Sequence, residues 1–208
     1  MAKLIGFSGS PMPNSNTDKA VIKILEESGV EYEFIKLSKL NIAPCRACKA
    51  CVKDNICKVK DDFPALAEKM KEADGYVFGV YTPYMMADAF SKSLLERMWS
   101  MRHNTALNAG KLCISVVNSC VPALADSVHD AIAMENKMED MINVGRLTIA
   151  GKPPCIGCGS GHTCIKSNAL KELNGNPDGA HLFVKLEDQK EVYEKAKELG
   201  QELGRRLR

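Results

Sequence analysis

The sequence predicts a doubly wound α/β fold built on a five-stranded parallel sheet. Three observations carry this. Short apolar runs alternate with stretches whose apolar residues recur at helical spacing. The first 37 residues read as strand, helix, strand, which is a βαβ unit. The loop joining that first strand to its helix is rich in Ser, Asn and Thr, and it lacks the Gly-x-Gly-x-x-Gly of a dinucleotide fingerprint.

The elements follow in order. Residues 3–8 form a strand that ends in Ser8-Gly9-Ser10-Pro11. Ala20, Val21, Ile24 and Leu25 mark one face of a helix, and Gly29 stops it. Tyr32 to Leu37 is the second strand. Asp61 and Asp62 cap a helix over 62–73, with Phe63, Leu66, Ala67 and Met70 on one side. Gly75 to Tyr81 is apolar enough for the centre of a sheet. A helix from Asp88 to Met101 carries Phe90, Leu94, Leu95 and Met98. Leu112 to Val117 is the fourth strand, Ala123 to Ile142 a helix, and Val144 to Ala150 the fifth strand. The last helix, from about Asp188 to Arg206, turns Val192, Ala196, Leu199 and Leu203 to the sheet and leaves Lys190, Glu191, Glu194, Lys197 and Glu198 to solvent. Residues 1–208 are expected to form one domain with cysteine-rich insertions near 44–60 and 153–166, large enough to stand without disulfides.

Charge narrows the function. Lys and Arg number 28 against 26 Asp and Glu, which gives no reason to expect nucleic acid or an anionic membrane as partner. The start, Met1 to Gly6, reads as a strand and not as a signal-peptide core. No apolar run nears the ~20 residues that span a bilayer. A cytoplasmic location is expected, and there nine cysteines point to metal or redox chemistry.

A single phosphate-type loop after strand one favours the flavodoxin-like strand order 2-1-3-4-5, with a cysteine-rich loop after strand 2. Ligands of such sheets bind beyond the carboxyl ends of strands one and three, and the loops 8–17 and 82–86 both leave there. In the first, short hydroxyl side chains meet a helix N-terminus whose N–H groups lack internal partners, which suits a phosphate. It has no Gly-Lys-Ser/Thr, so ATP and GTP are not expected. The second, Thr82-Pro83-Tyr84-Met85-Met86, offers a proline-constrained backbone, an aromatic ring and soft side chains. Flat apolar surface of that kind suits an isoalloxazine ring, so the pair of loops suggests FMN.

Cys45, Cys48, Cys51 and Cys57 fall within thirteen residues at spacings x2, x2, x5. A [4Fe–4S] cluster, a zinc site and thiol chemistry all compete for them. Zinc knuckles are usually paired across a long loop, and a redox thiol pair would leave two close cysteines unexplained. The first three resemble the opening of a cubane-binding run, although x5 and Lys58-Val59-Lys60 differ from the bacterial ferredoxin ending. Arg46, Lys49, Lys53, Lys58 and Lys60 would offset thiolate charge or guide an acidic electron donor. Cys155, Cys158 and Cys164, with His162 between them, form a candidate second metal or cluster site, against which stand a thiol pair and structural cysteines. Cys113 is expected in the core, His103 and His129 on the surface, and His181 just before the 182–184 run. No Ser/His/Asp arrangement is justified, which fits a protein whose cofactors supply the chemistry.

Gly9-Ser10-Pro11 with Asn16-Thr17, Thr82-Pro83-Tyr84 and Glu198-Leu199-Gly200 resemble the NADPH-dependent FMN reductase and flavodoxin-like superfamily. With Pro44-Cys45 through Cys57 and Asp61-Asp62, the chain resembles the iron–sulfur flavoproteins of anaerobic archaea and bacteria. The resemblance implies FMN, one [4Fe–4S] cluster, a homodimer or homotetramer, and electron transfer. It implies phosphate contacts at Ser8, Ser10, Ser15, Asn16 and Thr17. It implies ring contacts at Pro83, Tyr84, Met85, Met86, Asn118 and Ser119, the last two in a loop where many relatives have glycines. The expected protein is an oxidoreductase or electron-transfer flavoprotein taking electrons from a ferredoxin-like carrier and reducing a small acceptor. The alternatives are an NAD(P)H-dependent FMN or quinone reductase and a zinc-stabilised interaction module.

Overall fold

A computed structural model describes residues 2–179 and 182–208. His181 lies outside the described residues. Five strands, β1 (Lys3–Ser8), β2 (Glu31–Lys36), β3 (Gly75–Tyr81), β4 (Leu112–Ser119) and β5 (Ile142–Ala150), pair in parallel in the order β2-β1-β3-β4-β5. This is the expected flavodoxin-like sheet, and the reversal of strand order falls between β1 and β3.

Helices cover both faces. On one lie α1 (Asn16–Ser28) and α6 (Lys190–Leu207), whose Val21, Ile24, Leu25, Ala196, Leu199 and Leu203 pack on Leu4, Val77 and Ile114. On the other lie α2 (Phe63–Glu72), α3 (Ala89–Arg102) and α4 (Ala125–Met138), closing over Phe7, Tyr76, Phe78 and Val117. A short α5 (Leu170–Leu173) belongs to the excursion between β5 and α6. Among the described residues no helix is long and apolar enough to cross a membrane.

α1 starts with a reciprocal capping box. Ser15 Oγ accepts from the Asp18 N–H at 3.1 Å, and Asp18 Oδ2 accepts from the Ser15 N–H at 3.1 Å. It ends at Gly29 in the left-handed conformation, φ 61°. A side chain at Gly6 or Gly79 would overlap Val21, so the helix lies almost flush on β1 and β3. That close approach fixes where its N-terminus points.

Three expectations needed correction. The helix expected over 123–142 ends at Met138, because the chain turns through a left-handed Asp140 (φ 57°) and Ile142 already pairs with Leu112. Met138, Met141 and Ile142 keep an apolar pattern, but Met141 serves the core from the turn. His129 is buried, not on the surface. Its Nδ1 meets Ser115 Oγ at 2.7 Å and its Nε2 meets Thr148 Oγ1 at 3.1 Å, tying α4 to β4 and β5, and burial lowers its pKa to about 4. Asp62 makes no side-chain cap bond to α2. It accepts from the Asn41 N–H at 2.7 Å instead, while Asp61 holds the Phe63 N–H at 3.1 Å.

Candidate functional site

Both distinctive loops leave the carboxyl edge at the switch point, and the first packs against the residues that flank the second. Gly9 donates its N–H to Gly79 O at 2.8 Å, and a side chain at Gly9 would overlap the Asp88 carboxylate and the Ser91 hydroxyl. Asp88 caps α3 by accepting from the Ser91 N–H at 2.9 Å and Oγ–H at 2.8 Å, and it also receives the Tyr81 N–H at 3.3 Å. Burial raises its pKa, against those bonds.

In the first loop the side chains are largely engaged with the protein. Ser8 donates to Asp18 Oδ1 at 2.5 Å, and Thr17 Oγ1 accepts from Asn118 Nδ2 at 3.2 Å. Asn16 spans the chain, donating to Val184 O at 2.8 Å and accepting from the Leu186 N–H at 3.1 Å. Ser10 is buried in the loop wall. Lys36, at the end of β2, pairs with the buried Asp18 at 2.5 Å and donates to Met12 O, so a cation lies under the loop. The first-turn N–H groups of Asn16 and Thr17 have no acceptor within α1, as at any helix start.

The second loop is a shelf. Tyr84 and Met85 are both left-handed, φ 52° and 61°, a costly conformation for bulky side chains that recurs at ligand clamps. Tyr84 is 96% exposed and Met86 69% exposed. Thr82 Oγ1 donates to Asn118 O at 3.3 Å, and Ser119 Oγ turns back on Val121. Exposed Met12, Val121 and Leu124 add apolar surface on the same edge. A strained shelf of uncovered aromatic and thioether groups beside a helix N-terminus fits a flat ring carrying a phosphate.

Cys45, Cys48, Cys51 and Cys57 line one partly open hollow with Arg46, Lys58, Arg97, Trp99 and Ser100. The loop reaches this form through left-handed Ala47, Lys49 and Asn55. Cys45 Sγ accepts from the Ala47 N–H at 3.4 Å. The loop is bolted to α3: Asn55 Nδ2 donates to Ser100 O at 3.3 Å, and Asn104 Nδ2 to Val52 O at 2.7 Å. Burial raises the Cys51 pKa, and the neighbouring Cys57, Cys48 and Cys45 add to the shift.

The most buried polar group here is one that the sequence reading missed. Arg97 is 1% exposed and donates to Ala43 O (2.9 Å), Asp61 Oδ2 (2.6 Å), Asp61 Oδ1 (3.1 Å) and Cys57 Sγ (3.2 Å). Its Nε–H is buried with no protein partner among the described residues, which ordinarily costs about 1–3 kcal/mol. Burial opposes charge on Asp61, but Arg97 and the Ala43 and Phe63 N–H groups outweigh it and hold the carboxyl below its usual range. Asp61, expected as a helix cap, is therefore also the counter-ion of the hollow. A signal was present: Arg97 sits among Leu94, Met98 and Met101 at helical spacing, where a cation must be paired.

Among the described residues no three His, Cys, Asp or Glu side chains gather closely enough to hold a single metal ion. Four soft sulfurs round one hollow, with a buried unmatched donor in its wall, are the kind of donor set that an iron–sulfur cluster takes.

Cys155, Cys158 and Cys164 lie in a separate excursion with its own small core of Ile156, Ala169 and Leu173. Cys158 donates to Cys155 O at 3.3 Å, and the Ser160 N–H reaches Cys158 Sγ at 3.4 Å. Cys158 and Cys164 are exposed, and His162 Nδ1 is buried without a partner among the described residues. Cys113 is fully buried, as expected.

Fold and site together define a flavin-type α/β protein with an added thiol-lined hollow. The sequence profile of the NADPH-dependent FMN reductase family matches residues 2–119, more than half the chain, and the chain belongs to that family and, within it, to the iron–sulfur flavoproteins. It is 35% identical over 136 residues to an iron–sulfur flavoprotein of Methanosarcina thermophila, covering 62% of this chain and 71% of that one. It is 37% identical over 103 residues to one of Methanocaldococcus jannaschii, covering 48% of this chain and 53% of that one, so the match spans about half of that relative's length. Among solved structures, RosB superposes with a TM-score of 0.66 at 13% identity, covering 100% of this chain and 80% of that one. The Trp repressor binding protein of Bacillus subtilis gives 0.61 at 13% identity, covering 95% and 98%. These two likenesses concern the fold alone.

Proposed function

We propose that this protein is an electron-transfer flavoprotein that couples a [4Fe–4S] cluster to FMN. The observation that carries the reading is that α3 serves both sites. Its cap, Asp88, fixes the shelf and meets the phosphate loop, while Arg97, nine positions on and about 13 Å along the helix, meets Cys57.

In this reading the 8–17 loop, with the α1 N-terminus, holds the phosphate through Ser8, Ser10, Ser15, Asn16 and Thr17, largely by backbone N–H groups. Pro83, Tyr84, Met85 and Met86 carry the ring, with Asn118 and Ser119 at its edge. Cys45, Cys48, Cys51 and Cys57 ligate the cluster. Bound FMN exchanges electrons in pairs or singly, and a cubane one at a time, so holding both matches a one-electron carrier to a two-electron acceptor. The exposed Arg46, Lys49 and Lys53 face outward beside exposed Cys48, a surface suited to an acidic ferredoxin-like donor. Lys58 is engaged with Asp54 at 2.6 Å. A homodimer or homotetramer would cover the apolar shelf.

Anaerobic purification with flavin, iron and acid-labile sulfide counted per chain tests the reading. About one FMN and four irons are expected. About eight irons would add Cys155, Cys158 and Cys164 as a second centre. Zinc without flavin would overturn it in favour of an interaction module. The family match supports a second reading, NAD(P)H-dependent reduction of flavin or quinone. Rapid NAD(P)H oxidation that survives loss of iron would favour it.

A further inference from the structure

A buried arginine on the inner side of an amphipathic helix needs a reason. Neutralising Asp61 would occupy two of the guanidinium's five donors. A third goes to Ala43 O, and a fourth reaches out of the ion pair to Cys57 Sγ at 3.2 Å. The plane of the fork is set on three sides. Phe63 lies against its face, with the guanidinium carbon 4.6 Å from the ring centroid. Asp61 is itself held by the N–H groups of Ala43 (3.0 Å) and Phe63 (3.1 Å). The backbone around Cys57 is fixed by Asn55, whose amide bonds to α3 at Ser100. The guanidinium therefore meets the sulfur in one orientation, and a lysine could not serve the same four acceptors from a single point charge.

We propose that Arg97 is a positioning residue that sets the reduction potential of the cluster through the Cys57 sulfur, with Asp61 as its brace. The proposal rests on Cys57 being a cluster ligand. Reduction adds one electron to a centre already carrying four thiolates. A cationic N–H donor on one ligand sulfur stabilises that added charge more than it stabilises the oxidised form, so it raises the potential. Desolvation strengthens the effect, because Arg97 is shut off from water. Among the described residues, Cys57 is the one of the four cysteines that receives such a bond, and Cys45 receives a neutral backbone N–H.

The test is a redox titration of the anaerobically purified holoprotein followed by electron paramagnetic resonance, on wild type, Arg97→Lys, Arg97→Gln and, as a control that removes a cation from the same helix without touching the cysteine loop, Lys92→Gln. Arg97→Gln is expected to lower the cluster's reduction equilibrium constant at least tenfold, a 59 mV negative shift for one electron. Arg97→Lys should shift it the same way, while the flavin couple in the same samples stays put and Lys92→Gln matches wild type. A second measurement uses no Arg97 variant: pulsed resonance of the reduced cluster in protein labelled with ¹⁵N-arginine, in an Arg46→Lys background because Arg46 also lines the hollow. A guanidinium ¹⁵N coupling is expected. An unchanged cluster potential in variants that retain iron, or no ¹⁵N coupling, would overturn the proposal while leaving the cluster reading intact. A wild-type protein with no iron and sulfide would remove both.

Discussion

The two cysteine groups look alike as sequence and differ as structure. Residues 45–57 are tied to α3 and the turn after it by side-chain bonds running both ways: Arg97 to Cys57 Sγ, Asn55 to Ser100 O, Asn104 to Val52 O. Around 155–164, among the described residues, the bonds to and from the cysteines are local, from Cys158 to Cys155 and from Ser160 to Cys158, over a core of three buried residues. The family profile follows the same division, matching through the first group and ending at residue 119, before the second. What separates the two groups in the structure is the rigidity and charge of what stands behind the cysteines, not their number.

The largest test of that contrast is removal of ligands. Cys48→Ser or Cys51→Ser should take iron from about four per chain to near none with FMN retained, whereas Cys158→Ser should leave about four. Comparable losses from both groups would erase the distinction. Next comes the brace. Asp61→Ala strands a buried guanidinium and should cost about 3–5 kcal/mol in urea unfolding. A smaller effect, outside both loops, serves as reference. Burial raises the Glu139 pKa to about 7, so its neutral form stabilises the fold below its ordinary value near 4.5, and that contribution is lost as pH rises through about 7. Unfolding free energy should fall by about 2–3 kcal/mol across that window, and Glu139→Gln should flatten the profile without favouring either loop. The smallest is Asn104→Ala, which should cost about 1 kcal/mol and speed amide exchange at 52–55 but not at 155–164.

Much of this was legible beforehand. The strand order followed from one phosphate-type loop and the alternation of elements, because right-handed βαβ crossovers leave few other arrangements. The loops 8–17 and 82–86 could be placed at one edge because parallel strands share their carboxyl ends. The local partners were not legible. Asn16 and Thr17 read as phosphate ligands, yet their side chains bond Val184, Leu186 and Asn118, more than a hundred residues away in sequence. Arg97 was passed over because helical periodicity marks a face as apolar without saying what a cation on it meets. His129 was assigned to solvent because a lone histidine gives no sign of hydroxyls on two strands beneath it.

The missing side chain at Gly9 has one further consequence. Its space is filled by Asp88 and Ser91, from the start of α3, directly after the other loop. Among relatives, residue 9 and residues 88 and 91 should therefore have changed together or not at all. A chimaera that imports the 8–17 loop without the start of α3 should lose flavin even when every residue that touches the cofactor has been kept.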